Sequence, residues 1–174
     1  SVKDAISGAM TLQIILIFMI IINCYLAFSV NYTKAFRIKN EIRNIIEKNE
    51  GLTCSAVNQI NDLMLKVNYG VQSGERKCPE GYETAALNNG LFCYKYQKVD
   101  VTGTSNQGST YKGAYYTVLT FVDVDIPIFN KIFPEIALLN ETFTSKGETA
   151  LIYSSGKIGS GLPTSCSTNS TASE

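Results

Sequence analysis

The residues of this chain best equipped to do chemistry are its five cysteines. Cys54, Cys78, Cys93 and Cys166 form an even set in the polar part of the sequence, and Cys24 stands alone inside an apolar run. An even set in a small domain reads as two disulfide bridges. Cys78 and Cys93 enclose PEGYETAALNNGLF, a turn-rich loop whose closure contributes about 3 kcal/mol on the loop-entropy estimate. Cys54 with Cys166 then follows by elimination, although three connectivities are formally possible. Zinc is the alternative use of four thiols, but there is no Cys-x-x-Cys spacing and no His to support it. Bridged cysteines imply an oxidising compartment outside the cytoplasm.

Other side chains offer less. Asp123 and Asp125 lie two apart in a strand-like run and so share a face, with Asp100 as a third oxygen donor for calcium, but the spacing of a calcium loop is absent. Histidine is missing altogether, which removes the commonest general base. Serine, lysine and paired carboxylates remain, in no catalytic motif, so no enzyme is expected. No phosphate-binding or dinucleotide-binding glycine pattern occurs, and no cofactor is expected. Lys plus Arg equals Asp plus Glu at 15 each, which gives no electrostatic pull toward nucleic acid. Three acceptor triplets for N-glycosylation, at Asn31, Asn140 and Asn169, are short enough to arise by chance.

The elements that position these residues begin with the run Leu12 to Val30, LQIILIFMIIINCYLAFSV, with nine uninterrupted apolar residues from Ile14 to Ile22. As a helix rising about 1.5 Å per residue it spans the roughly 30 Å hydrocarbon layer of a bilayer. Ala27 and Ser29 allow a cleaved secretory signal, but the apolar core exceeds the about 7 to 15 residues of such signals, so a retained span or packing helix is expected. Gln13 and Asn23 inside it either turn toward a partner helix or bond within their own. Lys34, Arg37, Lys39, Arg43 and Lys48 follow the run while only Lys3 precedes it, which by the positive-inside rule opposes the export that the cysteines imply. The cysteines carry the assignment.

Beyond Val30 the pattern becomes amphipathic, with Ala35, Ile38, Ile42 and Ile45 at spacings of three and four between charged residues. No Pro or Gly interrupts residues 9 to 50 and Gly51 supplies a stop, which predicts one helix of about 40 residues. A shorter helix is expected over Ser55 to Val67. Alternating aromatic and β-branched residues predict strands at Leu91 to Val101 and Tyr115 to Ile126, with weaker signals at Lys66 to Val71, Glu135 to Phe143 and Glu148 to Tyr153. YGVQSG, TGTSNQGST and SKGE read as the turns between them. From Ser154 onward the chain is too rich in Ser, Thr and Gly to build a core and reads as a tail pinned by Cys166. The expected fold is α+β: a long N-terminal helix over residues 1–51, packed on a small antiparallel β-sheet head with one short extra helix over 52–153, then the tail over 154–174.

A helix that is wholly apolar first and amphipathic second, joined to a small antiparallel head, resembles the type IV pilins and TadE-like pseudopilins over residues 1 to about 50. The most specific part is Gly8-Ala9-Met10-Thr11-Leu12-Gln13, similar to the prepilin pattern of a cleavage Gly followed by an acidic residue five places on, with Gln13 here at the acidic position. A second frame takes Ser1 as the processed end and Asp4 as the nearest carboxylate, one place early, and so as the pair for charge contact between subunits. The resemblance implies a structural subunit of an extracellular filament on the cell surface, inserted in the cytoplasmic membrane before assembly. Its partners would be copies of itself in a helical polymer, the membrane and the pilus assembly machinery. Met10, Leu12, Gln13, Ile15, Ile17, Phe18, Met19 and Ile22 would line the polymer core, with Tyr82 and Tyr111 outside. The alternative is a single-span membrane-anchored surface protein, an adhesin or secretion-system component, that does not polymerise.

Overall fold

A computed structural model describes residues 2–69, 71, 76–102, 110–122, 143–153, 161–163 and 166. The chain is an α+β fold in which a long helix, α1 (Val2–Lys48), and a short one, α2 (Cys54–Val67), pack on an antiparallel sheet of β1 (Glu83–Leu87), β2 (Gly90–Thr102), β3 (Thr110–Phe121), β4 (Thr144–Glu148) and β5 (Ile152–Tyr153). The sheet runs β1-β2-β3-β4, with β5 pairing the start of β3. At 47 residues α1 is about 70 Å long.

The upper half of α1 is held because its apolar residues recur every three or four places. Ala35, Ile38, Ile42 and Ile46 fall on one stripe and are buried against β3, β4 and α2. Each of the three isoleucines contributes about 1.5–3 kcal/mol of apolar burial. They join Ile60 and Met64 of α2 and Phe92, Tyr94, Tyr116 and Val118 of the sheet in a single core.

Both helices stop by the same device. At the end of α1 the Gly51 N–H donates to the Ile46 carbonyl at 2.9 Å and the Glu50 N–H to the Glu47 carbonyl at 3.2 Å. This is a Schellman closure, and it requires a left-handed residue between helix and exit. That residue is Glu50, at φ 56°, rather than Gly51. Gly51 instead has φ 134° and lies where an added Cβ would sit 3.2 Å from the Tyr116 hydroxyl. At the end of α2, Asn68 takes the left-handed position, with its N–H bonded to the Leu65 carbonyl and that of Tyr69 to the Met64 carbonyl. The start of α2 is capped by the Thr53 hydroxyl, which accepts from the Ala56 N–H at 3.2 Å.

Three local expectations are corrected. Lys66 to Val71 is not a strand: the carbonyls at the end of α2 capture the next two N–H groups, so Lys66 and Val67 complete a helical turn. SKGE is not a turn, because Ser145 to Glu148 lie in β4 and pair with β3, Val118 opposite Gly147. Gly147 serves there by lacking a side chain, since a Cβ would stand 2.9 Å from Cδ of Lys39 on α1. The loop between Cys78 and Cys93 contains strand β1, which pairs with β2 from Glu83 opposite Tyr94 to Leu87 opposite Gly90. Asn61 of α2 holds that hairpin, accepting from the Asn89 N–H at 3.1 Å through its side chain and from the Asn89 amide at 3.3 Å through its carbonyl. Of the two stronger strands, β2 extends the expected range by one residue at each end. β3 begins earlier and ends at Phe121; residues 123–126 and 135–142 lie outside those described.

The disulfides join Cys78 to Cys93 and Cys54 to Cys166. The second ties the start of α2 to a point 112 residues later. The chain near it is also held by Tyr94, whose hydroxyl donates to Glu83 Oε2 at 2.5 Å and accepts from the Leu162 N–H at 2.7 Å. Burial, and then the Glu83 hydrogen bond, push the Tyr94 phenol up to about 12.

Replacing Glu50 with Gly relieves the left-handed strain and is expected to stabilise the fold by about 1 kcal/mol, read as a higher denaturation midpoint for the full chain in detergent. Tyr94 favours the folded state as a neutral phenol, so its contribution is complete below the unfolded phenol value near 10 and is lost as pH rises toward about 12. Tyr94→Phe is therefore expected to cost about 1–2 kcal/mol at neutral pH and to flatten the loss of stability across that alkaline window, measured by denaturant titration at stepped pH.

Candidate functional site

The stripe that docks α1 on the head fades below Cys24. Cys24, Ala27, Phe28 and Asn31 are half-buried on it, whereas from Ile6 to Asn23 every residue is exposed. Those 18 residues make a rod about 27 Å long with apolar side chains on all sides. It is the one helix among the described residues long and apolar enough to cross a membrane, with mean hydropathy 2.3 and none of that window covered by the fold.

Met10, Leu12, Gln13, Ile15, Ile17, Phe18, Met19 and Ile22 all lie on this rod and all are exposed, Ile17 at 58% and Phe18 at 62%. At about 100° per residue they point in every direction, so the surface is a cylinder rather than a stripe. Covering the seven large apolar side chains among these candidates alone is worth on the order of 10–20 kcal/mol. That is as large as the net stability of an ordinary domain, so the rod has a strong drive to leave water.

Three polar side chains of α1 bond back to its own backbone. The Thr11 hydroxyl donates to the Ser7 carbonyl at 2.9 Å, the Asn23 amide to the Met19 carbonyl at 2.7 Å and the Thr33 hydroxyl to the Ser29 carbonyl at 2.8 Å. Asn23 thus bonds within its own helix. Such pairings lower the cost of placing these side chains in an apolar medium.

Above the rod, polar contacts fix the angle at which it leaves the head. The buried Thr120 hydroxyl of β3 donates to the Ala35 carbonyl at 2.9 Å, and the Lys34 ammonium donates to the Asn68 carbonyl. Glu47 accepts from the Ala150 N–H at 2.8 Å and lies 3.7 Å from Arg43. Lys39 lays its carbon stem against Gly147 and sets its ammonium 4.0 Å from the centre of the Phe36 ring. Burial, and then the neighbouring Arg43 charge, hold its ammonium below the ordinary lysine range. Sequence reading missed Lys39 and Thr120. Lys39 carried a signal, since it falls four residues after Ala35 beside the apolar stripe; Thr120 carried none.

The remaining candidates do not gather into a site. Asp4 lies in the first turn of α1 and Ser1 lies outside the described residues, as do Asp123, Asp125, Asn140 and Asn169. Asp100 and Tyr111 fall in the paired part of β2 and β3, opposite Lys112 and Val101. Tyr82 is half-buried, with the Lys146 ammonium 5.9 Å from its ring. Asn31 is half-buried within α1. Among the described residues no group of three or more His, Cys, Asp or Glu stands close enough to hold a metal ion. Cys24 is a free thiol.

No family model matches this chain, and no curated protein or solved structure is significantly similar to it.

Lys39→Met keeps the stem that packs on Gly147 and removes the buried charge, and is expected to stabilise the docking of α1 by about 1 kcal/mol. Because its folded value is lowered, the unfolded chain holds the proton more tightly and stability rises with pH toward the ordinary lysine value of 10.5. Denaturation midpoints measured at stepped pH are expected to lose that part of the rise in the variant.

Proposed function

We propose that this chain is a structural subunit of a type IV pilin-like filament outside the cell, held in the cytoplasmic membrane by α1 and then stacked through the same helix. The observation that carries the reading is the 18-residue rod from Ile6 to Asn23, exposed and apolar on all sides, continuous with a half-helix docked on a disulfide-bridged head. A surface content in lipid is equally content against copies of itself. A cylinder with no preferred face suits a core in which each rod meets several neighbours, and a head-to-tail contact that does not close into a ring propagates as a helix. The heads would then stand outside, bridged against the oxidising surroundings. The partners on this reading are other copies of the chain, the membrane and an assembly machine.

One observation favours a second reading. Thr11, Asn23 and Thr33 satisfy their polar groups within α1, which equips the helix to stand alone in lipid as the anchor of a surface protein. Electron micrographs of material sheared from the cell surface separate the two, because a filament subunit leaves with regular fibres and an anchor stays with the membrane fraction.

Ile17→Asp places a carboxylate midway along the rod and is expected to abolish fibres while the head keeps its disulfides and fold. Fibres of normal yield from this variant would remove the rod from the polymer core.

A further inference from the structure

The aromatic residues of α1 begin their contact with the head where the rod ends. Tyr25 is 70% exposed, Phe28 is half-buried and Tyr32 is 44% exposed. Phe143, which leads into β4, meets Phe28 edge-on at 4.9 Å between ring centres and is itself 38% exposed. A head residue is therefore fixed at the same height along α1 as the last part of the apolar run, with an open aromatic face beside it.

The charges on α1 say what lies at that height. From Ala5 to Thr33 the sequence holds 29 residues with no Asp, Glu, Lys or Arg, bracketed by Asp4 and Lys34. At about 1.5 Å each the run is roughly 43 Å long, the thickness of a bilayer with both headgroup layers. Centring it places Met19 at the midplane and Phe28 about 14 Å above it, at the edge of the roughly 15 Å hydrocarbon leaflet. Tyr32 then falls in the headgroup layer, the level at which aromatic rings with a polar end are enriched. Lys34 stands at its outer rim with its ammonium on the Asn68 carbonyl, and the exposed Arg37 just beyond is suited to lipid phosphates.

We infer that Phe28, Tyr32 and Phe143 form a bilayer-interface contact that seats the head on the membrane surface, with Phe143 reaching the boundary between headgroups and acyl chains. The inference rests on the membrane-held state of the proposed function and adds a second point of contact to it. Two contacts at one height, one on the helix and one on the head, fix how far α1 is inserted and which edge of the sheet faces the lipid. The occupant is a phospholipid surface.

The chain has no tryptophan, so one introduced at a chosen place is the sole indole emitter. Four single variants, Ile17→Trp, Phe143→Trp, Thr144→Trp and Tyr153→Trp, are compared as the full chain in phosphatidylcholine vesicles with and without brominated acyl chains. Ile17→Trp is expected to lose most of its emission to bromines deep in the chains. Phe143→Trp is expected to lose most of its emission to bromines near the carbonyl end and little to deep ones. Thr144→Trp, at the neighbouring half-buried position, provides the same reading should the Phe143 change disturb the Phe28 contact. Tyr153, exposed in β5 and paired near the opposite end of β3, is expected to report no loss. Quenching of Ile17→Trp with none at positions 143 and 144 overturns the seating of the head and leaves the span standing. No quenching at position 17 overturns both.

Discussion

The structure depends on one helix keeping two different environments at once. Backbone hydrogen bonding is continuous through α1, so the rod cannot fold back to shelter its own apolar surface. The head covers a single stripe of the upper half, and among the described residues every one from Ile6 to Asn23 in the lower half is exposed. A short flexible joint between the halves would let the rod collapse onto the sheet. Its absence makes the exposed cylinder a fixed feature, and every functional reading starts from the need to cover it.

The head is built to hold that rod at a set angle. Apolar burial of Ile38, Ile42 and Ile46 supplies the attraction, but the polar contacts choose the register. Thr120 and Lys34 reach backbone carbonyls rather than side chains, so they fix the helix along its axis. Gly147 and Lys39 add a steric fit: the strand approaches closely only where it has no side chain, and the lysine fills the space with methylenes while its ammonium remains near a ring face. The buried charge is a cost accepted for that fit. The two bridges then close the hairpin and the far end of the chain onto the same body, which suits a part exposed to solvent with a modest core.

The pilin-like layout and the membrane-surface contact draw on the same property, an apolar rod ending at an aromatic collar. On the proposed reading, lipid and neighbouring copies would be alternative solvents for the rod. On the membrane-held reading the collar differs, because Tyr32 and Phe143 would lie where the surroundings change from acyl chain to water. A subunit leaving the bilayer would exchange both contacts together, which couples release of the head to withdrawal of the helix.

What the amino-acid sequence determined was whatever one element settles by its own periodicity. Ile14 to Ile22 makes the rod, Ala35, Ile38 and Ile42 set the stripe, which the structure ends on the fully buried Ile46 with the expected Ile45 only partly buried, and Leu91 to Val101 reads as a strand. The tertiary structure decided the rest. Ser145 to Glu148 has turn composition and becomes a strand because β3 offers an edge, with the Lys39 stem of α1 lying against Gly147. Glu83 to Leu87 becomes a strand because β2 lies alongside and Asn61 holds the connecting turn. Glu50 takes the left-handed position because Gly51 is needed against Tyr116. Apart from the β1–β2 pairing, which is a hairpin between adjacent strands, the deciding contacts come from Asn61, Lys39, β3 and Tyr116, far away in the chain, and local patterns carry no record of a neighbour brought near only by folding.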